Sequence, residues 1–257
     1  LWQPFAPRHR TVYNVESNLY KNVLGDTLVF EEINHDLGLT FSYSWSTSDK
    51  FGFVKRSSLR NDNSDKIWVD VLDGIENLLP YGIQAGTQNE LSCLVDAYKK
   101  NELVEGVGLG IYAMSSILSD RAEPSEALSA TTAWSYGLDN PTYLLSSDQV
   151  EDFSQGLTVQ QETEMLGRRG AYLVSDRLEL AAGLSRDWGI VADVNQSPAQ
   201  VRDTVHLLGS DQAIEAAVLA DIRAGTEHLA QLISTADGLQ VSEDTLSANH
   251  HASNVLF

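Results

Sequence analysis

Between Thr27 and Leu72 the chain repeats one pattern, in which apolar or aromatic residues alternate with polar ones at period two. Successive side chains of a strand point to opposite faces, so each such run has one dry face and one wet face. Thr27 to Ile33, Leu37 to Trp45, Phe51 to Leu59 and Lys66 to Leu72 each read as a strand. In the second run Leu37, Leu39, Phe41, Tyr43 and Trp45 share one face, opposite Gly38, Thr40, Ser42 and Ser44. Asn61-Asp62-Asn63-Ser64 is turn chemistry. Parallel strands need long, usually helical crossovers, and these gaps hold none, so the sheet is antiparallel.

Helical spacing first appears after Thr87. Thr87-Gln88-Asn89-Glu90 has the form of a capping box, and Leu91, Leu94, Val95 and Tyr98 then recur at helical intervals up to Lys99-Lys100. Strand character returns over Gly106 to Leu118, Ala127 to Tyr136, Tyr172 to Ala181 and Trp188 to Val194. From Ser197 the texture changes. Ser197-Pro198-Ala199-Gln200 is a second capping box, with proline at the first helical position. A further helix begins at Ser210-Asp211, carries the stripe Ile214, Val218, Ile222, Leu229, Leu232 and Ile233, and stops at Gly238. Gly225 inside it costs about 1 kcal/mol relative to alanine, which predicts a kink or a close contact there. A last helical segment starts at Ser242. The chain divides into a β sandwich over 1–195 and helices over 196–257.

Composition narrows the partners. The 257 residues carry 17 basic against 36 acidic side chains, a formal charge of −19, which repels nucleic acid and anionic membrane. No apolar run approaches the roughly 18 residues of a spanning helix. The single cysteine, Cys93, excludes an intrachain disulfide and a cysteine-based zinc site, and reads as an inert thiol inside a helix. It leaves cytoplasm and periplasm both open, with cytoplasmic placement the expectation. The chain begins at Leu1 and ends on Val255-Leu256-Phe257, which reads as a piece of something longer.

Catalytic constellations are thin. Gly106-Val107-Gly108-Leu109-Gly110 lacks the lysine and the strand-turn-helix context of a phosphate loop, and reads as glycines packed within a sheet. His250-His251 point about 100 degrees apart on a helix and cannot share one metal there. Glu31 and Glu32 face opposite sides of a strand and cannot flank one glycosidic bond. His35 with Glu31 or Glu32 is the one pairing that offers acid and base to a sugar ring, as an epimerase requires. Trp45, Phe51, Phe53 and Trp68, with Lys55, Arg56 and Arg60 beside them, can either line a carbohydrate surface or fill the sandwich core. Asp73-Gly74 reads as a turn leaving a strand, followed by Asn77 and a Pro80-Tyr81-Gly82 corner; Asp73 and Asn77 can fix that loop. Trp45, Phe51, Arg56, Asp73 and Asn77 are the candidate sugar-binding residues; no catalytic residue, metal ligand or cofactor site is assigned.

Several segments resemble one family. Tyr20 to Leu59, containing Phe30-Glu31-Glu32-Ile33-Asn34, Tyr43-Ser44-Trp45 and Phe51-Gly52-Phe53-Val54, resembles the amino-terminal region of large bacterial proteins related to glycoside hydrolase family 94. So do Leu72-Asp73-Gly74, Asn77-Leu78-Leu79-Pro80-Tyr81-Gly82 and His251-Ala252-Ser253-Asn254-Val255-Leu256-Phe257. That family contains inverting cellobiose and β-glucan phosphorylases. The resemblance implies a mainly β fold, a galactose-mutarotase-like super-sandwich of antiparallel sheets followed by linker α-helices. An (α/α)6 barrel would follow, carrying the catalytic acid and the inorganic phosphate outside this chain. The implied partners are that barrel, an oligosaccharide and a second copy in a homodimer. A non-catalytic supporting domain is the leading expectation, with a free-standing carbohydrate-binding module as the alternative.

Overall fold

The computed structural model describes residues 1–116, 127–210, 213–240 and 242–256, with only the backbone of Leu256. Leu118, Asp211, Phe257 and the Leu256 side chain, all invoked above, lie outside the described residues. After a 3-10 turn (Pro7–Thr11) come β1 (Val15–Lys21), β2 (Leu28–Asn34), β3 (Leu39–Ser48), β4 (Gly52–Asn61) and β5 (Ile67–Leu78). Two short helices, α1 (Ala85–Glu90) and α2 (Ser92–Ala97), precede β6 (Lys99–Val104), β7 (Leu109–Met114), β8 (Ala130–Tyr136) and β9 (Thr142–Leu144). Then follow α3 (Val150–Ser154), β10 (Glu164–Leu166), β11 (Gly170–Leu180) and β12 (Ser185–Gln196). The chain closes with α4 (Pro198–Leu208), α5 (Ile214–Thr235) and α6 (Thr245–Leu256). The fold is mainly β, built of two antiparallel sheets and followed by helices, as the alternation and the change of texture at Ser197 predict.

Contacts divide the chain into two units. The mid-chain unit comprises Leu1, 68–178 and 190–212; the flanking unit comprises 2–67, 179–189 and 213–257. In the mid-chain unit the strand order β12-β8-β7-β6-β10 forms one layer and β5-β11-β9 the other. Leu78, Leu103, Tyr112, Ala133, Leu145, Tyr172, Val174 and Ile190 meet between the layers as one buried cluster. Its two tyrosines are satisfied by backbone, Tyr112 donating to Ala171 O at 2.7 Å and Tyr172 to Gly108 O at 2.6 Å. Burial pushes both phenols well up from their ordinary values. Gly108 has φ +66, and a Cβ there would lie 2.3 Å from the Tyr143 hydroxyl, so the glycine run serves turn and packing.

In the flanking unit β1, β2, β3 and β4 form an antiparallel meander. Register places Phe30 opposite Tyr43, and Trp45 opposite Lys55. Helix α5 packs on β3. Ser48 Oγ and the Lys50 amide donate to the Asp221 carboxylate, the latter at 3.1 Å. Asn249 of α6 donates to Val23 O at 2.6 Å and accepts from Lys21 Nζ at 3.1 Å. A Cβ on Gly225 would meet open space, so no close contact explains that glycine. At the end of α5 the left-handed residue is Asp237 (φ 57); Gly238 is required instead because a Cβ would press into Ile233 and Val255 at 2.7 and 2.8 Å.

Two local expectations fail for tertiary reasons. The helix expected from Thr87 to Lys100 breaks at Leu91 (φ −122, ψ 37), and the Thr87 capping box does not form: Gln84 precedes α1 with no side-chain cap. Leu91, Leu94 and Tyr98 are exposed, and Lys99-Lys100 open β6, because Lys99 is drawn inward to pair with Met114 in the sheet and with Asp96 and Gln88. Cys93 is exposed on α2 rather than shielded in a helix core. The second failure is the Asp73-Gly74 turn. Strand β5 runs straight through it to Leu78, since a Cβ at Gly74 would come within 2.1 Å of Tyr172 O. The capping box at Ser197 is present, Ser197 Oγ accepting from the Gln200 amide.

Candidate functional site

The five residues proposed for sugar contact fall in different surroundings. In the flanking unit Trp45 and Arg56 face opposite sides of the sheet, because Trp45 pairs with Lys55 and Arg56 with Ser44. Arg56 approaches Glu215 of α5 at 3.9 Å. Phe51 occupies the turn between β3 and β4 at 6% exposure, its amide bonded to Ser48 Oγ. The aromatic face around half-buried Trp45 is partly covered by the chain's own start. Phe5 packs edge-on to Phe30 and Tyr43, and Trp2 Nε1 donates to Glu32 Oε1 at 2.8 Å. Phe5 sits at φ 65, costly for a large side chain, and its amide donates to Glu32 Oε2 at 2.9 Å. Glu32 is therefore a buried structural acid, while Glu31 accepts from Asn18 and Tyr20 on the other side. His35 approaches Glu16 at 3.9 Å rather than Glu31 or Glu32, so the acid-base pairing considered above is not assembled. His251 Nε2 bonds Asp237 O, and among the described residues no group of histidine, cysteine and carboxylates is placed to hold a metal.

In the mid-chain unit Asp73 lies within β5, and Asn77 near its end adopts φ 58, a left-handed turn that asparagine tolerates. Asn77 enters a pocket of about 180 Å³. Leu78, Leu79 and Ala85 supply its aliphatic lining; Asn77, Gln88, Asn89, Lys99 and Arg169 complete it, the Lys99 side chain itself being fully covered. The rear is tightly organised. Gln88 Nε2 donates to Asp96 Oδ1 at 3.0 Å, Lys99 Nζ donates to the same oxygen at 2.9 Å, and Lys99 also donates to Gln88 Oε1. Lys99 is buried, and Asp96 is partly so. Burial pushes the Asp96 carboxyl up, yet the hydrogen bonds from Lys99 and Gln88 and the charges of Lys99 and Arg169 outweigh it, and Asp96 titrates below its ordinary range. Leu79 O accepts from Thr131 Oγ1 at 2.7 Å, and the Gly167 amide bonds Lys99 O at 3.1 Å, which fixes both ends of the frame. Sequence reading found Asn77 through its turn chemistry. It does not find Gln88 and Lys99, because it takes the short helices and strand β6 as one helix, nor Arg169, which lies between β10 and β11, far along the chain.

No family model matches the chain, and no curated protein matches it. Among solved structures, a bacterial glucoamylase complexed with acarbose is similar to it at a TM-score of 0.44 and 10% identity, over 84% of this chain and 29% of that one. A human-microbiome protein proposed to be a kojibiose phosphorylase gives 0.41 and 10%, over 95% and 25%. Heparinase III gives 0.35 and 10%, over 72% and 22%. The chain spans less than a third of the length of each. At such scores no residue role is carried across.

Proposed function

We propose that this chain is a non-catalytic β domain, with linker helices, of a larger carbohydrate-active protein, and that it contacts sugar through the pocket at the end of β5. The pocket lining carries the reading: aliphatic side chains beside planar amide and guanidinium donors match a pyranose, which offers an apolar face and a rim of hydroxyls. Its volume of about 180 Å³ suits one ring. The strand-then-helix layout and the family 94 resemblance support the supporting role, with a galactose-mutarotase-like sandwich, a downstream (α/α)6 barrel, inorganic phosphate held in that barrel, and a homodimer. Calorimetric titration with cellobiose and laminaribiose tests it. Binding is expected, weakened about tenfold by Asn77→Gly, which keeps the left-handed backbone and removes the side-chain amide. No heat with any neutral or acidic sugar would overturn the reading.

A second reading, a free-standing sugar-binding module, draws on Trp68. Its ring is 54% exposed on β5, with the Arg177 guanidinium 5.7 Å from the ring centroid. In the same titration, loss of binding in Trp68→Ala but not in Asn77→Gly would favour the module.

A further inference from the structure

We infer that residues 2–6 are a strap closed over a ring-binding cleft on the aromatic face of the β1–β4 meander, and that a neutral pyranose takes the strap's place when it opens. All the residues involved belong to the flanking unit, and the inference does not depend on the pocket at the end of β5. Glu32 is 1% exposed and accepts from Trp2 Nε1 at 2.8 Å, the Phe5 amide at 2.9 Å and Ser17 Oγ at 3.2 Å. Among the described residues, the hydrogen bonds that tie 2–6 to the strands end on this one carboxylate. The others stay within the strap or reach the 3-10 turn, the Ala6 amide donating to Gln3 O at 3.2 Å and the Gln3 amide to His9 Nδ1 at 2.8 Å. The Phe5 ring meets three rings of the strands, its centroid 5.5 Å from that of Tyr43, 6.4 Å from Phe41 and 6.5 Å from Phe30.

Strain separates the strap from ordinary packing. Gln3-Pro4-Phe5-Ala6 is a turn whose third residue has φ 65, a position that normally takes glycine or asparagine. A phenylalanine there is held by its surroundings, and opening the strap sheds the strain. Strain therefore favours release while the bonds to Glu32 favour closure, so the balance rests on one residue. The chemistry on the strap's inner side points to the ligand. It offers an apolar ring to aromatic rings and N–H donors to a carboxylate; a pyranose offers an apolar face and hydroxyl donors in the same roles. With the strap away, Glu32 keeps Ser17 and loses its two other donors, a costly state for a buried carboxylate that sugar hydroxyls repair. Strand pairing preforms the cleft, since Phe30 and Tyr43 stand directly opposite each other and stack at 4.9 Å.

Hydrogen exchange and calorimetry on the full 257-residue chain test the opening and the ligand in turn. The Phe5 amide is expected to exchange at least about a hundredfold faster than the amides of β2 and β3, because the strap opens locally. Equal protection would make 2–6 a fixed part of the core and overturn the inference. Calorimetry uses cellobiose in an Asn77→Gly background, so that any binding left at the β5 pocket is common to every protein compared. Phe5→Gly, which relaxes the turn and removes the ring, is expected to bind cellobiose about tenfold more tightly than the background protein. Adding Tyr43→Leu is expected to abolish that gain. Should Phe5→Gly lose the protection of β2 and β3, Trp2→Phe replaces it, keeping a ring and removing one bond to Glu32, with a gain of about threefold expected. Cellobiose affinity unchanged by opening the strap, in a protein whose β2 and β3 amides stay protected, overturns the inference and leaves the reading of the β5 pocket untouched. A gain that survives Tyr43→Leu places the sugar elsewhere and overturns it too.

Discussion

Glu162 shows what a buried acid does in this protein. Its carboxylate accepts from the Leu145 and Ser146 amides at 2.7 and 2.9 Å, from Ser146 Oγ at 3.1 Å and from Gln149 Nε2 at 2.9 Å. At 8% exposure it closes the segment after β9 on to the strands around it. Replacing it by alanine strands two buried amides, so Glu162→Ala is expected to destabilise the fold by about 3 kcal/mol, read from chemical denaturation. Glu162→Gln keeps one acceptor oxygen and is expected to cost less than half of that. An alanine variant as stable as the parent would show that water can replace the carboxylate. Nothing near Glu162 in the sequence marks it, because its partners are backbone amides 16 and 17 residues away. Asn77 was legible for the opposite reason: its role begins with its own backbone conformation.

At the scale of elements, α5 is held to β3 by a polar clasp as well as by its apolar stripe. Ser48 and the Lys50 amide donate to Asp221, while Val218 is fully buried. The hydrogen bond from Ser48, with those from the turn amides and the charge of Lys50, holds the Asp221 carboxyl below its ordinary value against the opposing effect of burial. Because the folded value lies below the unfolded value of about 3.9, the stabilisation is fully present above that pH and disappears as pH falls through the folded value. Thermal melts between neutral pH and pH 3 are expected to show a steeper acid loss for the parent than for Asp221→Asn, which is weaker at neutral pH. Parallel curves would mean that the clasp contributes nothing. The helix itself was legible from its stripe and from Gly238. Its partner was not, since period 3.6 reports that a face is buried and not what buries it.

At the scale of the whole molecule, the helical end leaves Leu232, Leu239 and Leu246 at 53, 40 and 79% exposure. Charge of −19 opposes close approach of two copies, but apolar contact is insensitive to salt while that repulsion is screened. We propose self-association through this end: light scattering is expected to give a dimer whose population rises with salt and is abolished by Leu232→Ser with Leu246→Ser. A monomer under all conditions would remove it. No helix of the described residues is long and apolar enough to cross a membrane.

The sequence by itself determined the antiparallel meander over the runs from 27 to 59, the strand character of 66 to 72 though not its place in the second sheet, the start of helix at Ser197 and the acidic charge, because periodicity, capping and composition are local or additive quantities. It also placed Glu31 and Glu32 on opposite faces, since strand geometry alone decides that. Only the tertiary structure decided that β5 runs through Gly74, that the expected helix breaks at Leu91 and that Lys99 turns inward to Asp96. Each depends on residues far along the chain: the close approach of Tyr172 to Gly74, the pairing of Lys99 with Met114, and Arg169 reaching the same pocket. Long-range contacts override a local preference worth about 1 kcal/mol per residue, and a pocket made wholly of such contacts leaves no periodic trace.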